Sequence, residues 1–502
     1  MRVDEFLSVS ACRTPDAVAL IEPGRQTITY GDLDRLANRF ANALRSVGLR
    51  RADRVMLALP TGIEMAAAYL GTMKAGGVAV PLSHNSPPDR IAEVVADCTP
   101  AVCIVDRTVA ASSAGRGWML QGRVWAPATL HKALDAAVDR APAAAHGDDD
   151  LAAIVYTSGS TGSPRGVMLT HRNIAANTRS IVSYLDLTAR DRVMSVLPLY
   201  YVYGLSLLHT HLAVGGSVVI DRRFQYPNVV LDAMQQYEVT GFAGVPSTFS
   251  LLLHRTKLPQ MTFPHLRYVT QAGGALSPAR VLEWLERGPA APLYVMYGAT
   301  EASARLTYLP PGDLRRKLGS IGRAIPGVEI DVVTDGESLA SAGEVGEIVA
   351  RGENIAAGYW GAPEETRARF GPLGFRTGDL GYRDEEGFLF LVGRRHDMFK
   401  IGGHRVSAKE IEDALCEHPD VHDAAVIGVP HDILGESTIA FVTSRGRDAV
   451  DPELLLRFCR TRVPAHKVPG RVVVLNDLPR LEGIGKPDKQ ALKRSLDAWT
   501  AV

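Results

Sequence analysis

Short apolar runs alternate with an amphipathic helical pattern from about residue 28 to residue 105, and this alternation constrains the fold most. The segments DRVMLALP, GGVAVPL and AVCIVD are rich in Val, Ile and Leu, as expected for strands buried in a parallel sheet. The segment YGDLDRLANRFANALRSVGL has a polar start, apolar residues at helical spacing and a glycine near its end. It therefore predicts a capped helix. Repeats of strand, helix and strand are typical of layered α/β domains.

The rest of the chain divides into three further regions. A second α/β stretch is predicted from about 151 to 300, and GVEIDVV and GEVGEIVARG predict a smaller, more antiparallel β-rich unit to about 390. The last hundred residues, with the helix-then-strand pattern of KEIEDALCEHPDVHDAAVIGVP, predict a small α+β domain joined by the linker GRRHDMFK. Residues 107–150 are rich in Ala, Gly and Ser and low in pattern, so we predict a variable connection there.

Length and charge limit the possible functions. A chain of 502 residues is expected to form two to four domains. Its composition, 46% apolar and 22% charged, is that of a globular enzyme. Lys+Arg and Asp+Glu both number 55, so the net charge is zero and gives no reason to expect nucleic acid or an anionic membrane as partner.

A cytoplasmic location is expected. The start, MRVDEFLSVSAC, lacks the apolar region of a secretory signal, and no run of eighteen apolar residues predicts a membrane span. The cysteines are scattered without a CxxC pair, which favours reduced thiols over disulfides or a zinc site. They are Cys12, Cys98, Cys103, Cys416 and Cys459.

The segment VYTSGSTGSPRGVMLTHRN, which runs from Val155 to Asn173, places a cluster of Gly, Ser and Thr directly after an apolar strand. Such a loop lets backbone N–H groups and hydroxyls converge on an anion, and the Arg that follows adds a fixed cation. The spacing is not that of a Walker loop, because the fifth residues after Gly159 and Gly162 are Pro164 and Val167. A flexible polar loop is the alternative to a phosphate site.

The segment YTSGSTGSPRGV resembles the phosphate loop of the acyl-adenylate-forming (AMP-binding) superfamily, which includes acyl-CoA synthetases and stand-alone adenylation enzymes. Five further segments occur in the family's order and spacing, and together they extend the resemblance from residue 28 to the end. They are QAGGALSP, MYGATE, FRTGDLG, GRRHDMFKIGGHRVSAKEIE and GIGKPDK.

The resemblance implies ATP-dependent activation of a carboxylic acid to acyl-AMP with release of pyrophosphate, followed by transfer of the acyl group to the thiol of CoA. It implies Thr300 as a donor to the α-phosphate and Glu301 as the Mg²⁺ ligand, since a carboxylate beside phosphates needs a hard cation between them. A solvated loop acid is the alternative for Glu301. The resemblance implies a phosphate-binding set of Thr157, Ser158, Gly159, Ser160, Thr161, Gly162 and Arg165.

The nucleoside site is implied in the same way. Tyr297 would offer an aromatic face for adenine, Asp379 would accept hydrogen bonds from the ribose hydroxyls, and Arg394 would contact the same ribose. Alternatively, Tyr297 is an ordinary core aromatic, and the glycines and Asp379 only form turns. The backbone residues implied around adenine are Gly273, Gly274, Ala275 and Gly298.

Lys486 is implied as the catalytic lysine, because a compact ammonium on a long stem can reach the acyl and bridging phosphate oxygens. A solvated surface lysine is the alternative, and the loop before Lys486 is one residue longer than the family's usual spacing. His396 stands where the family has its hinge. The fold prediction is therefore an α/β multidomain protein: an N-terminal adenylation domain (1–393) of two α/β lobes plus a small β-rich lobe, a hinge (394–397), and a small mobile α+β C-terminal domain (398–502).

The resemblance places the acid-binding pocket after PLYYVYG and around GFAGVPSTF. No acidic residue lies between Pro198 and Gly216, where α-amino-acid-activating relatives have an Asp. We therefore predict an acid without an α-amine, aliphatic or aryl, because a buried ammonium needs a carboxylate. Asp221 leaves an unusual amino acid, such as a β-amino acid, as the alternative. The implied pocket residues are Tyr201, Val202, Ala243, Gly244 and Ser303.

Two other functions remain open at this stage. A stand-alone adenylation enzyme that loads the phosphopantetheine of a carrier protein would share the chemistry at the adenylate. A non-catalytic nucleotide-binding relative is the remote alternative, because Arg165 replaces the family's usual Lys, His396 its usual Asp or Lys, and the spacing before Lys486 differs. A serine hydrolase is excluded by the lack of a GxSxG motif. The Arg and Ala excess suggests a bacterial biosynthetic setting.

Overall fold

The computed structural model describes most of the chain. The described residues are 1–113, 123–143, 146–158, 164–395, 398–401, 404–431, 434–446, 450–480 and 487–496. Within these ranges, no helix has the length and apolar character needed to cross a membrane. The α-helices are α1 Val3–Arg13, α2 Tyr30–Ser46, α3 Ile63–Lys74, α4 Pro88–Cys98, α5 Arg107–Ser113, α6 Pro127–Asp135, α7 His171–Leu185, α8 Val202–Val214, α9 Pro227–Gln236, α10 Pro246–Arg255, α11 Pro278–Arg287, α12 Pro363–Arg369, α13 Ala408–Cys416, α14 Pro452–Arg460 and α15 Lys489–Arg494.

The strands form three sheets. They are β1 Val18–Glu22, β2 Gln26–Thr29, β3 Arg54–Ala58, β4 Val78–Pro81, β5 Val102–Val105, β6 Arg123–Trp125, β7 Leu151–Ser158, β8 Pro164–Thr170, β9 Arg192–Ser195, β10 Ser217–Ile220, β11 Gly241–Gly244, β12 Tyr268–Gln271, β13 Leu293–Tyr297, β14 Thr307–Leu309, β15 Ser320–Ala324, β16 Val328–Val333, β17 Gly346–Gly352, β18 Gly358–Tyr359, β19 Phe370–Gly371, β20 Gly374–Arg383, β21 Leu389–Arg394, β22 Met398–Ile401, β23 His404–Ser407, β24 Val421–His431, β25 Gly435–Ser444 and β26 Arg471–Leu475.

The first sheet has the order β18-β8-β7-β4-β3-β5-β6. Strands β3 to β7 run parallel, and β8 turns back antiparallel to β7. The helix predicted before strand β3 is confirmed as α2, whose N-cap Thr29 accepts a hydrogen bond from Asp32 N. The predicted buried strands are confirmed as β3, β4 and β5. Because β7 ends at Ser158, the Gly/Ser/Thr loop follows a strand end as expected.

The second sheet joins a parallel half to an antiparallel half. Strands β1, β10, β9, β11, β12 and β13 are parallel. Beyond β13 the order continues through β14, β15, β21, β20, β17 and β16, all antiparallel, which is the predicted β-rich lobe. The lobes do not follow chain order as the sequence suggested, because β7 and β8, at the start of the stretch predicted for the second lobe, belong to the first sheet.

The segment 107–150, predicted as a variable connection, contains regular elements that its sequence did not indicate. Within the described part of that segment, α5, β6 and α6 form, and β6 extends the first sheet by pairing Val124 with Cys103. The helices have seven and nine residues and the strand three. Elements this short carry too few positions for a periodic pattern to emerge.

The C-terminal region is a small α+β unit, as predicted. Its sheet has the order β23-β22-β25-β24 with β26 beside β25, and α13 and α14 pack over a core of its own. Its contacts with the N-terminal unit include polar ones. The Ser407 hydroxyl donates to the Val392 carbonyl at 2.6 Å, and Arg280 Nη2 donates to the His422 carbonyl at 3.5 Å. The predicted fold class is confirmed.

Candidate active site

A tight turn after β13 places two of the predicted residues. Gly298 follows the strand, and a Cβ built there would lie 2.0 Å from the Ala304 carbonyl oxygen. Only glycine therefore fits without a shift of the backbone. The chain then forms a short 3₁₀ turn over Thr300–Ala302. Thr300 and Glu301 thus lie at the carboxyl end of a parallel strand, where α/β sheets bind their ligands.

Glu301 is tied to the strand that follows the Gly/Ser/Thr loop. The Tyr359 hydroxyl donates to Glu301 Oε1 at 2.8 Å. Tyr359 pairs with Val167 of β8, and Trp360 N donates to the Gly166 carbonyl at 2.8 Å. Burial and the nearby Glu301 carboxylate raise the pKa of the Tyr359 hydroxyl well above its ordinary value. The turn after β13 and the start of β8 therefore meet at one place.

The predicted phosphate-binding residues flank the turn of the β7–β8 hairpin. Thr157 pairs in register with Arg165, and its carbonyl accepts from Arg90 Nη2 at 3.3 Å. Arg165 Nη2 lies 2.8 Å from Glu365 Oε1 of α12. Ser158 ends β7. The central loop residues lie outside the described residues. They are Gly159, Ser160, Thr161 and Gly162.

The three residues expected at the nucleoside come together. The Tyr297 hydroxyl donates to Asp379 Oδ2 at 2.6 Å, and Arg394 Nε donates to Asp379 Oδ1 at 3.0 Å. Burial, then the Asp379 charge, raises the pKa of the Tyr297 hydroxyl well above its ordinary value. Tyr297 is 9% exposed and the Arg394 side chain 64%. A carboxylate held in this way can accept hydrogen bonds from a diol.

A glycine turn lies beside the first predicted pocket residue. Gly273 has φ +84°, and a Cβ there would lie 3.1 Å from the Tyr201 hydroxyl and 3.0 Å from Val245 Cγ1. The turn is braced by the buried Gln271, whose Nε2 donates to the Gly274 carbonyl at 2.8 Å. Tyr201 therefore closes over the same turn that was expected to line the adenine site, with Ala275 exposed at its end.

The model of the AMP-binding enzyme family matches residues 7–360, and the model of the AMP-binding enzyme C-terminal domain matches residues 410–486. The chain belongs to the AMP-binding enzyme family.

Similar proteins of this family span nearly the whole chain. Indoleacetate–CoA ligase of Aromatoleum aromaticum is 31% identical over 98% of each chain, and feruloyl-CoA synthase of an Amycolatopsis species is 35% identical over 96% of each. The ATP-bound structure of MatB from Rhodopseudomonas palustris is 31% identical, with a TM-score of 0.91 over 99% of both chains. That of o-succinylbenzoate CoA synthetase from Bacillus subtilis, with its acyl-adenylate, is 28% identical, with a TM-score of 0.87 over 97% of both.

These relatives confirm the predicted family and enzyme class. Each is named a CoA ligase or synthetase or, for MatB, was solved with ATP bound. The expectation of an AMP-forming acid–thiol ligase of the acyl-CoA synthetase type is therefore confirmed at the level of class. ATP and CoA follow as its expected substrates, while the acid, Mg²⁺ and a carrier-protein partner remain predictions.

The other predicted residues of this AMP-binding enzyme occupy varied places. Ala243 is fully buried in β11, and a Cβ on Gly244 would meet Thr248 Cγ2 at 2.8 Å. Val202 is also buried, and the Ser303 hydroxyl donates to the Asn354 carbonyl at 2.8 Å. Their roles at the acid stay predictions. His396 and Lys486 lie outside the described residues.

Three residues of the site were not singled out from the sequence. Tyr359 holds Glu301, Glu365 pairs with Arg165, and Arg305 is buried beside the β13–β14 turn. The first two contacts depend on tertiary structure and leave no local signal. Arg305 does leave one, because a basic residue four positions after Glu301, followed by LTYL, interrupts an otherwise apolar segment.

The residues around Glu301 fit a magnesium ion. Glu301 makes no ion pair with a basic side chain among the described residues, so its charge is not already neutralised. Mg²⁺ commonly takes one or two protein carboxylates, with nucleotide phosphates and water completing its shell. A single carboxylate next to the predicted phosphate loop is the donor set that this chemistry requires.

Proposed function

We propose that this enzyme uses ATP to convert a carboxylic acid without an α-amine into an acyl-AMP with release of pyrophosphate, and then transfers the acyl group to the thiol of CoA. The hydrogen bond between Tyr359 and Glu301 carries this proposal, because it brings a carboxylate fit for Mg²⁺ against the strand of Arg165. The CoA-ligase names of the relatives support the second step.

In the first step a substrate carboxylate oxygen attacks the α-phosphorus of ATP and pyrophosphate leaves. The hydroxyl and backbone groups from Thr157 to Gly162, with Arg165, would hold the β- and γ-phosphates. Thr300 would donate to the α-phosphate as negative charge grows there. Mg²⁺ held by Glu301 would supply charge neutralisation between the phosphates. Lys486, carried by residues 398–502, would meet the acyl and bridging oxygens.

The nucleoside would be held by residues that are hydrogen-bonded to one another. Asp379 would accept from the ribose hydroxyls while Tyr297 and Arg394 fix its orientation. Adenine would lie by the Gly273–Gly274 turn and Ala275. In the second step the C-terminal domain would turn about His396, a thiolate would attack the acyl carbonyl carbon, and AMP would leave.

The absence of an α-amine on the acid is supported by the charges near the pocket. Helix α8 contains no acidic residue. Asp221, the nearest alternative, follows β10 and makes a bidentate pair with Arg223, with Nη2 to Oδ2 at 2.6 Å. It is therefore already compensated. An ammonium placed here would be buried without a partner, which is costly.

The proposal is tested by pyrophosphate release from ATP and Mg²⁺ across a panel of carboxylic and amino acids, with and without CoA. Release that depends on one class of amine-free acid and yields an acyl-CoA supports it. If the enzyme forms only acyl-AMP when CoA is present, but transfers the acyl group to a phosphopantetheinylated carrier protein, the carrier-protein alternative is favoured. Preference for an α-amino acid would contradict the predicted substrate, and no release with any acid would favour a non-catalytic relative.

Matched variants separate catalysis from stability. Glu301→Gln and Lys486→Ala are each expected to lower the rate of adenylation by at least about 100-fold, since each removes a charge that acts on the transition state. Glu329→Gln and Lys493→Ala, at exposed positions, are the controls and should retain the wild-type rate.

A further inference from the structure

Arg305 is a buried cation that forms no ion pair with any carboxylate among the described residues. Its side chain lies among apolar and aromatic groups directly after the β13–β14 turn, and the residue is 3% exposed. The guanidinium carbon lies 4.0 Å from the centroid of the Tyr203 ring, Nε contacts Met296 Sδ at 3.4 Å, and Nη1 donates to the Ala304 carbonyl at 3.1 Å. The position is therefore well defined by packing.

In the described part of the chain, no carboxylate lies within 4.0 Å of Arg305, which donates hydrogen bonds to a thioether and a backbone carbonyl. The acidic residues of the site have other partners. Glu301 accepts from Tyr359, and Asp379 accepts from Tyr297. A guanidinium taken out of water without an anion is unfavourable, and a cation–π contact compensates only part of that loss. Such a group is suited to receive an anion from outside the chain.

The location of Arg305 points to the acid rather than to the nucleotide. Tyr203, over whose ring the guanidinium lies, is two residues after Tyr201 on α8. Burial raises the pKa of the Tyr201 and Tyr203 hydroxyls, and the charge of the nearby Arg305 opposes that rise at both. The Tyr201 hydroxyl in turn lies against the Gly273 turn. The guanidinium thus borders the pocket predicted for the acid.

Aromatic side chains pack around the methionine that the guanidinium contacts. The Tyr184 hydroxyl contacts Met296 Sδ at 3.0 Å, and the Tyr184 ring stacks on Tyr308 with centroids 4.2 Å apart. A long acyl chain would have to displace this packing. An acid that reaches Arg305 from the site of adenylation is accordingly a short one.

We propose that Arg305 is the recognition site for a second anionic group on the acid, so that the substrate class is a short dicarboxylate. One carboxylate would be activated by ATP, and the other would receive hydrogen bonds from the guanidinium, whose planar donors match a carboxylate in two directions. This inference rests on the proposed function and adds the class of acid to it.

The test compares acids of equal carbon number in acid-dependent pyrophosphate release: propionate with malonate, butyrate with succinate, and pentanoate with glutarate. Wild-type enzyme is expected to prefer at least one diacid over its monoacid by about 100-fold in kcat/KM, because a buried polar site rejects analogues that leave it unpaired. Arg305→Met, similar in length, should abolish this preference, and Arg305→Lys should keep part of it.

Arg323→Met is the matched control, because its guanidinium lies at the same 4.0 Å from the Phe388 ring but on an exposed residue. It should leave the preference unchanged. Release with monoacids and no preference for any diacid would overturn the inference while leaving the proposed function intact. No release with any acid would count against the proposed function. In that case, thermal stabilisation of the protein by a diacid, but not by its monoacid and not in Arg305→Met, would still support the subsite. If no diacid stabilises the wild-type protein in this way, the inference is overturned.

Discussion

The Tyr359 hydroxyl donates a 2.8 Å hydrogen bond to Glu301 and so joins the turn after β13 to the sheet that carries the β7–β8 hairpin. Tyr359 is itself fixed by its pairing with Val167 and is 2% exposed. The position of the Glu301 carboxylate is thus set by two sheets that come from different parts of the chain.

Removing this hydroxyl should weaken Mg²⁺ binding at the proposed Glu301 site without unfolding the protein. Tyr359→Phe keeps the ring but releases Glu301, and a hydrogen bond to a charged group contributes about 1.5–3 kcal/mol. We expect acid-dependent pyrophosphate release to fall by about 10-fold at low Mg²⁺ and to recover partly at high Mg²⁺. Tyr226→Phe, at an exposed position, is the control. A loss that Mg²⁺ does not relieve would argue against this role of Tyr359.

If Arg165 binds the phosphates of ATP as proposed, Glu365 would compete with them for its charge. The 2.8 Å ion pair must open, or share its charge, when phosphates arrive. Glu365→Gln should therefore lower the KM for ATP by about 2- to 5-fold, as expected for a partly exposed ion pair contributing under about 1 kcal/mol. The measurement is the ATP dependence of pyrophosphate release at two salt concentrations. Glu364→Gln, at the exposed neighbouring position on α12, should leave the KM for ATP unchanged. Equal effects of both variants would show that only the change in net charge matters.

Gly298 should not tolerate a side chain. A Cβ there would lie 2.0 Å from the Ala304 carbonyl oxygen, so Gly298→Ala has to displace the turn that holds Thr300 and Glu301. We expect loss of adenylation by at least about 100-fold, because small displacements of positioned groups reduce rates strongly. Gly312→Ala is the control, since no atom lies within 4 Å of a Cβ built there. Wild-type activity in Gly298→Ala would show that the turn can relax.

Acid should destabilise the N-terminal lobe through His171. Burial lowers the pKa of His171 to about 4 from an ordinary 6.5, and its Nδ1 accepts from Val3 N at 3.1 Å. Between these values the unfolded chain binds the proton and the native chain does not, so the free energy of unfolding falls as pH decreases from 6.5 to 4. The loss is at most about 3 kcal/mol. The lowered pKa of the neighbouring Asp4 adds a loss in the same direction at still lower pH.

Urea unfolding at several pH values between 7.5 and 4.5 measures this effect. His171→Asn should show a shallower decline of stability with pH than the wild-type protein, although it is less stable at pH 7.5. His131→Asn, whose side chain is 65% exposed in the wild-type protein, should keep the wild-type slope. Parallel slopes for all three proteins would assign the pH dependence to other groups.

Elements with a local signal were predictable from the sequence. Helix α2 has a cap, a periodic apolar face and a glycine beyond its end, and β3 to β5 are continuous apolar runs. The assembly of sheets was not predictable in the same way. Leu20 pairs with Val218, and no pattern near either residue specifies a partner so distant along the chain.

In the candidate site, too, some features were predictable from the sequence and others were not. Thr300, Glu301 and Asp379 stand in recognisable segments, so the sequence pointed to them through resemblance. The contact of Tyr359 with Glu301 depends on β18 pairing with β8, and the separation of Arg305 from the described carboxylates depends on packing around Tyr203. Such relationships exist only in three dimensions, so the sequence offered no reason to propose a second charge on the acid.

Within three residues, strand β21 contacts both the C-terminal domain and the proposed ribose ligand. The Val392 carbonyl accepts from Ser407 of the C-terminal domain, and Arg394 holds Asp379, the proposed ribose ligand. A nucleotide that draws Asp379 toward itself would therefore pull on the strand against which the C-terminal domain rests. Binding and release of the nucleotide would then be mechanically coupled to the position of the C-terminal domain through three residues of one strand.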